Sequence, residues 1–269
     1  MDITATADTT YGPLTAAVNV LRSEYCKLRT VRSTVWTLTA AVASNVGVAA
    51  LLAIFVSGRL SAHQKATIDV VRLTLGGLHL SQVAIGVLGV LVISSEYSTG
   101  QIRATLSAVP RRRLVLAAKT AVFTAVSLVV GTASSFGAYL VFQALRSGHG
   151  LSASLGDPGV LRAVTGGGLY LGVIGLFGLG LGAIIRSSAG AIAALLGAMF
   201  VPPLLSDLLP HSWQTTIGPY LPLNAGGQIY IASRFDPNSL APWTGLGVFS
   251  LYAVAALGTG LILITRRDA

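Results

Sequence analysis

Residues 94–113 read SSEYSTGQIRATLSAVPRRR. The stretch is short, polar and basic, ends in three consecutive arginines, and separates two long runs that contain no Asp, Glu, Lys or Arg. Working outward, the same alternation covers the chain. Charge-free windows occupy 33–58, 73–95, 120–145, 163–185, 187–206 and 237–265. Each reaches about 20 residues, which a helix rising 1.5 Å per residue needs to cross ~30 Å of hydrocarbon. A seventh uncharged window, 208–233, holds three prolines and many amide and hydroxyl groups. Lipid would leave such groups unsatisfied, so it is not a span.

Composition agrees. The 269 residues are 53% hydrophobic and only 10% charged, against roughly 25% charged in an ordinary soluble domain. The expected fold is therefore an all-α integral membrane protein with six transmembrane helices, at about 34–57, 72–94, 116–145, 162–185, 188–206 and 242–265, forming one domain over 34–265. Before it, residues 1–13 read as a disordered tail. Residues 14–33 read as an amphipathic helix in the interface, with Leu14, Val18, Leu21, Tyr25 and Leu28 on one stripe and Arg22, Lys27, Arg29 and Arg32 largely off it. The N-terminus lacks the basic start and apolar core of a signal peptide, so the first span is expected to direct insertion. Short helices, cut by proline, are expected between spans five and six on the outer side. Pro202 and Pro203 are expected to break the fifth span. Residues 266–269 form a tail.

The net charge of +9 reads as topology. Six spans put both termini on one side, with twelve Lys and Arg there against six on the other, while acidic residues divide 5 to 4. The positive-inside rule makes the richer side cytoplasmic. A multi-pass protein of the cell (plasma) membrane with both termini cytoplasmic follows, and nucleic acid is not an expected partner. Cys26 is the lone cysteine, so no intramolecular disulfide is expected.

Catalytic patterns are missing. The three lysines follow Cys, Gln and Ala, so no GxxxxGK[ST] phosphate loop exists. GxSG is absent, and His63, His79, His149 and His211 show no metal-ligand spacing. No Asp, Glu, Lys or Arg is seen at mid-membrane, where a proton-coupled carrier would keep one, and of the histidines only His79 lies inside a span. Asn45, His79 and Gln82 are the strongest polar residues within spans. Hydrogen bonding between helices accounts for them as readily as a pathway does. The chain reads as a non-enzyme. The glycine-dense GGGLYLGVIGLFGLGLG of the fourth span offers close helix packing.

Within the opening stretch, Ser98 or Thr99 is placed to cap a short helix. Ile102, Leu106 and Val109 form one apolar stripe, Pro110 stops the helix, and Arg111 to Arg113 are expected to meet lipid phosphates. Such a knob suits the docking of another protein, with an interfacial anchor as the alternative. Replacing Ile102 and Leu106 by Asp is expected to abolish docking.

A Glu after the second span, a Gly four residues on, a short helix, then Pro and basic residues: this pattern resembles the cytoplasmic coupling loop of ABC-2-type permeases, the membrane subunits of ABC exporters. SEYCKLRTVRSTVWTL (23–38) resembles the interfacial connecting helix of the actinobacterial branch. YLPLNAGGQIY (220–230) resembles its outer segment, and the C-terminal APWTGLGVFSLYAVAALGTGLILITRRDA its last helix. Gln101 departs from the Thr of many relatives. The resemblance implies Glu96, Gly100, Ile102, Arg103, Leu106 and Pro110 as the coupling residues, and a coupling helix between spans two and three. It implies a separate cytoplasmic ATPase, expected as a dimer and carrying ATP and Mg, with no cofactor on this chain. It also implies a second permease copy or paralogue as partner within the bilayer. Spans two and five would line the path, with Leu75, His79, Gln82, Gly86, Leu196, Met199 and Phe200 as candidates by helical spacing. A lining so apolar suits a hydrophobic or amphipathic cargo such as a drug, peptide antibiotic or lipid. A non-transporting anchor or sensor acting through the same loop is the alternative.

Overall fold

In the computed structural model, residues 13–55, 69–109, 111–146, 152–206, 208, 210–233 and 237–266 are described. The tail 1–12, Pro110, His63 and His149, most of the first outer loop, and 267–269 lie outside the described residues. Helix and short connecting turns account for the described residues, with no strand among them. The elements are α1 (Pro13–Thr30), α2 (Arg32–Phe55), α3 (Val70–Ser98), α4 (Gln101–Ala108), α5 (Arg112–Arg146), α6 (Val160–Ile185), α7 (Ser188–Ser206), α8 (His211–Ile217), α9 (Pro222–Gly227) and α10 (Pro242–Arg266). Six of them, α2, α3, α5, α6, α7 and α10, are long and apolar enough to cross a membrane. The protein is a multi-pass membrane protein with an all-α fold.

Helix α6 is the centre of the bundle and packs on α3, α5 and α10. Its glycines permit this. A Cβ at Gly178 would strike the Gly86 carbonyl of α3, one at Gly168 would strike Thr132 of α5, and one at Gly180 would strike Ala256 of α10. With no side chains between them, the backbones approach closely and gain dispersion contacts that lipid tails cannot match. Asn45 of α2 is fully buried and donates to Ser134 Oγ of α5 at 3.0 Å. Ser81 of α3 donates to the Ala41 carbonyl at 2.6 Å. These bonds give the Asn45 amide nitrogen and the Ser81 hydroxyl partners inside the bundle.

Two local expectations change. Helix α7 continues through Pro202 and Pro203 to Ser206. Each proline removes one N–H bond to the preceding turn, and this close to the helix end few bonds remain to be lost. The hydroxyls of Ser98 and Thr99 both donate to the Ser95 carbonyl, at 3.0 and 2.8 Å. They finish α3 and leave α4 without a side-chain cap. Gly100 stands at the start of α4 with φ of 72°, a left-handed conformation that costs a residue with a Cβ about 1–2 kcal/mol.

Candidate functional site

The ends of α3 and α10 meet the starts of α5 and α7 at one end of the bundle. Ser94 and Ser188 share a hydrogen bond of 2.9 Å. Arg112 donates to the Ile264 carbonyl at 3.1 Å and Arg186 to the Leu263 carbonyl at 3.2 Å. Both guanidiniums thus sit at the C-terminus of α10, where the helix dipole favours cations. The Arg186 guanidinium also lies 4.9 Å from the centre of the Tyr97 ring, within cation–π range. Arg112 therefore turns inward, unlike the exposed Arg111 and Arg113, and all three arginines do not face lipid alike.

Against this end lies α1. Its residues Val18, Leu21 and Tyr25 are exposed, whereas Val20 and Glu24 are buried. Most of the apolar stripe points away from the bundle, although Leu28 packs on the core, and the edge that carries Val20 and Glu24 points into it. Glu24 Oε2 accepts from Lys119 Nζ at 2.6 Å, and Glu24 Oε1 from Lys27 Nζ at 2.7 Å. Glu96 Oε1 accepts from both lysines at 2.9 Å. Two carboxylates and two ammoniums thus join α1, α3 and α5 in one network.

Lys119 is 3% exposed and Glu96 4%. Burial on this scale is tolerated only because each charge is paired. Burial disfavours the charged form of Lys27, but the hydrogen bonds and fields of Glu24 and Glu96 outweigh it and raise its pKa above the ordinary 10.5. Its contribution is therefore complete at neutral pH and lost only as pH rises through that higher value. A cavity of about 410 Å³ adjoins the network, lined also by hydroxyls from Thr30, Ser33, Thr34 and Ser95.

The expected coupling residues fall at this end, and they divide. Glu96 is in the ion network and Gly100 makes the turn. Ile102 is 3% exposed and Leu106 is half-buried, while Gln101, Arg103, Ala104 and Ser107 are exposed. The apolar stripe of α4 is turned into this protein, and its outward face is polar with one positive charge. Any partner docking on α4 would meet Arg103 and its neighbours, so the Ile102/Leu106 pair is not a clean probe of docking. Pro110 lies outside the described residues.

The candidate path residues do not share one open face. Leu75, Gln82, Gly86 and Met199 are buried within the chain, Leu196 is half-buried, and His79 and Phe200 are exposed. Gln82 Oε1 accepts from the Tyr170 hydroxyl of α6. Tyr170 in turn packs on Tyr230 and Phe249, with ring centres 5.2 and 5.6 Å apart, and Tyr230 meets His79 edge-on at 6.5 Å. This aromatic cluster closes the opposite end of the bundle. There Arg162 donates to the carbonyls of Ile229, Ile231 and Ala232 at 3.0, 2.9 and 3.2 Å. Asp69 accepts from the backbone and hydroxyl of Ser233 at 3.1 and 3.0 Å.

Sequence reading missed Lys119 and Glu24. Lys119 counts there only as one of the topology charges, and its sole local sign is its place directly before the charge-free window 120–145. A scan against protein-family models finds no match, and a search of curated proteins finds no significant similarity.

Proposed function

We propose that this chain is the membrane permease subunit of an ATP-driven exporter of the ABC-2 type. It would move a hydrophobic or amphipathic substrate out of the cell on energy from a separate ATPase dimer bound at the cytoplasmic face. Two permeases, identical or paralogous, would enclose the path. One observation carries the reading: the short helix α4 joins two spans, and the turn before it is braced by ion pairs of Glu96 with Lys119 and with α1. A push on α4 is thereby passed to α1, α3 and α5 together, which is what a coupling element requires. The resemblance of the loop, connecting helix, outer segment and last helix to this family supports the same conclusion.

The test is co-purification. Tagged protein in mild detergent is expected to bring down a soluble P-loop ATPase in stoichiometric amount. Arg103→Glu combined with Ala104→Asp, on the outward face of α4, is expected to reduce that recovery at least tenfold without loss of the membrane subunit. Recovery of the membrane protein alone, from cells that express a candidate ATPase, would overturn the exporter reading in favour of an anchor or sensor.

A further inference from the structure

A second cavity, of about 620 Å³, opens on the outside of the bundle between α1, α2 and α5. Its size falls within the roughly 300–1,000 Å³ usual for ligand sites, but its lining is unlike that of a closed pocket. Val35 and Leu38 of α2 form one wall, and Val122, Val126, Val129 and Val130 of α5 form the floor. Val35 and Val129 are well exposed, Val129 by 69%. From Val122 to Val130 the floor runs about 12 Å at 1.5 Å per residue. That is close to the depth of one leaflet, about 15 Å if the core is ~30 Å.

The mouth differs from the floor. Arg29 and Tyr25, near the end of α1, border it, and no acidic residue is in its lining among the described residues. The nearest acid in sequence, Glu24, is turned the other way into the ion network. Arg29 is exposed, and no hydrogen bond or ion pair engages it among the described residues. Exposed Val18 and Leu21 hold α1 in the interface, which sets the Arg29 guanidinium at the level of lipid phosphates. A guanidinium presents paired N–H donors that match phosphate oxygens.

From these observations we infer that the groove between α1, α2 and α5 is a resident site for one anionic phospholipid of the leaflet at the basic end of the bundle. One acyl chain lies along Val122 to Val130, and the phosphate is held by Arg29 with Tyr25 beside it. Basic pockets between spans are a recurring place for anionic headgroups. The lipid seals a gap between α1 and the bundle on the side opposite the Glu24–Lys119 pair. The inference rests on membrane embedding and not on the exporter reading.

The experiment is native mass spectrometry of the full chain released from detergent, loaded with equal amounts of dioleoyl phosphatidylglycerol and dioleoyl phosphatidylcholine. Wild type is expected to retain one phosphatidylglycerol at least fivefold over phosphatidylcholine. Arg29→Gln, and separately Ala125→Trp, which fills the groove, are each expected to lower that retention at least fivefold. Arg29→Lys, which keeps the charge but not the paired donors, is expected to fall between wild type and Arg29→Gln, and Arg103→Gln, which removes a positive charge elsewhere, to keep all of it. Equal retention of the two lipids by wild type would overturn the site. So would an unchanged Arg29→Gln, or an Arg103→Gln as impaired as Arg29→Gln.

Discussion

Lys119 is one of twelve basic residues that a count of loop charges places at one end of the bundle, yet it differs in kind from exposed Arg111 or Arg113. Its ammonium is buried and shared by Glu24 and Glu96. Taking it away leaves Glu24 and Glu96 with only the partly exposed Lys27 between them, and the Glu96 Oε2 atom already has no hydrogen-bond partner. Lys119→Met is therefore expected to destabilise the protein by about 3–5 kcal/mol, the usual cost of breaking a buried ion pair from one side. Thermal unfolding in detergent measures it. Lys27→Met, which removes a side chain that still reaches water, is expected to lower the unfolding temperature much less. An equal effect of the two would show that burial of Lys119 does not matter. No reading of one sequence pairs Glu24 with Lys119 at a separation of 95 positions, because charge counting assigns a side of the membrane but not a direction around the helix.

At the scale of elements, the spans themselves were legible. Hydrocarbon excludes charge, so windows such as 163–185 and 187–206 mark the helices Val160–Ile185 and Ser188–Ser206 to within a few residues. What covers each face was less legible. An apolar stripe such as Ile102 and Leu106 says that something must bury it. It does not say whether that is a partner or the protein's own helices. Hydroxyls between two helices are likewise ambiguous, and Ser98 and Thr99 serve the end of α3 instead of the start of α4. The left-handed residue of the turn is Gly100. Gly100→Ala is expected to cost about 1–2 kcal/mol from the left-handed backbone and, on the proposed exporter reading, to lower recovery of an ATPase several-fold by tilting α4. Unfolding temperature and co-purification read the two effects separately. A loss of stability with unchanged partner binding would show that the setting of α4 is irrelevant to docking.

For the whole molecule, contacts at the two ends group the helix termini, and the bias of basic residues is the ground for the side proposed for each end. Cys26, exposed on α1, is a natural reporter as the chain's sole cysteine. A membrane-impermeant maleimide is expected to label it in inverted vesicles and not in intact cells. In a Cys26→Ser background, a Trp213→Cys variant on α8 is expected to show the reverse. Labelling of Cys26 from outside intact cells would invert the proposed topology.

The bare surface of α6 also bears on how the molecule is assembled. A helix with so many glycines presents backbone rather than side chains to whatever surrounds it, and lipid fills such a surface poorly. When α6 enters the bilayer, α3 and α5 are already there to cover two of its faces, but α10 is still about 60 residues from being made. The third face, at Gly180, stays open to lipid until α10 has been made. The last helix is then the closing piece of the bundle, and an intermediate stalled before it would expose the stickiest surface the chain possesses.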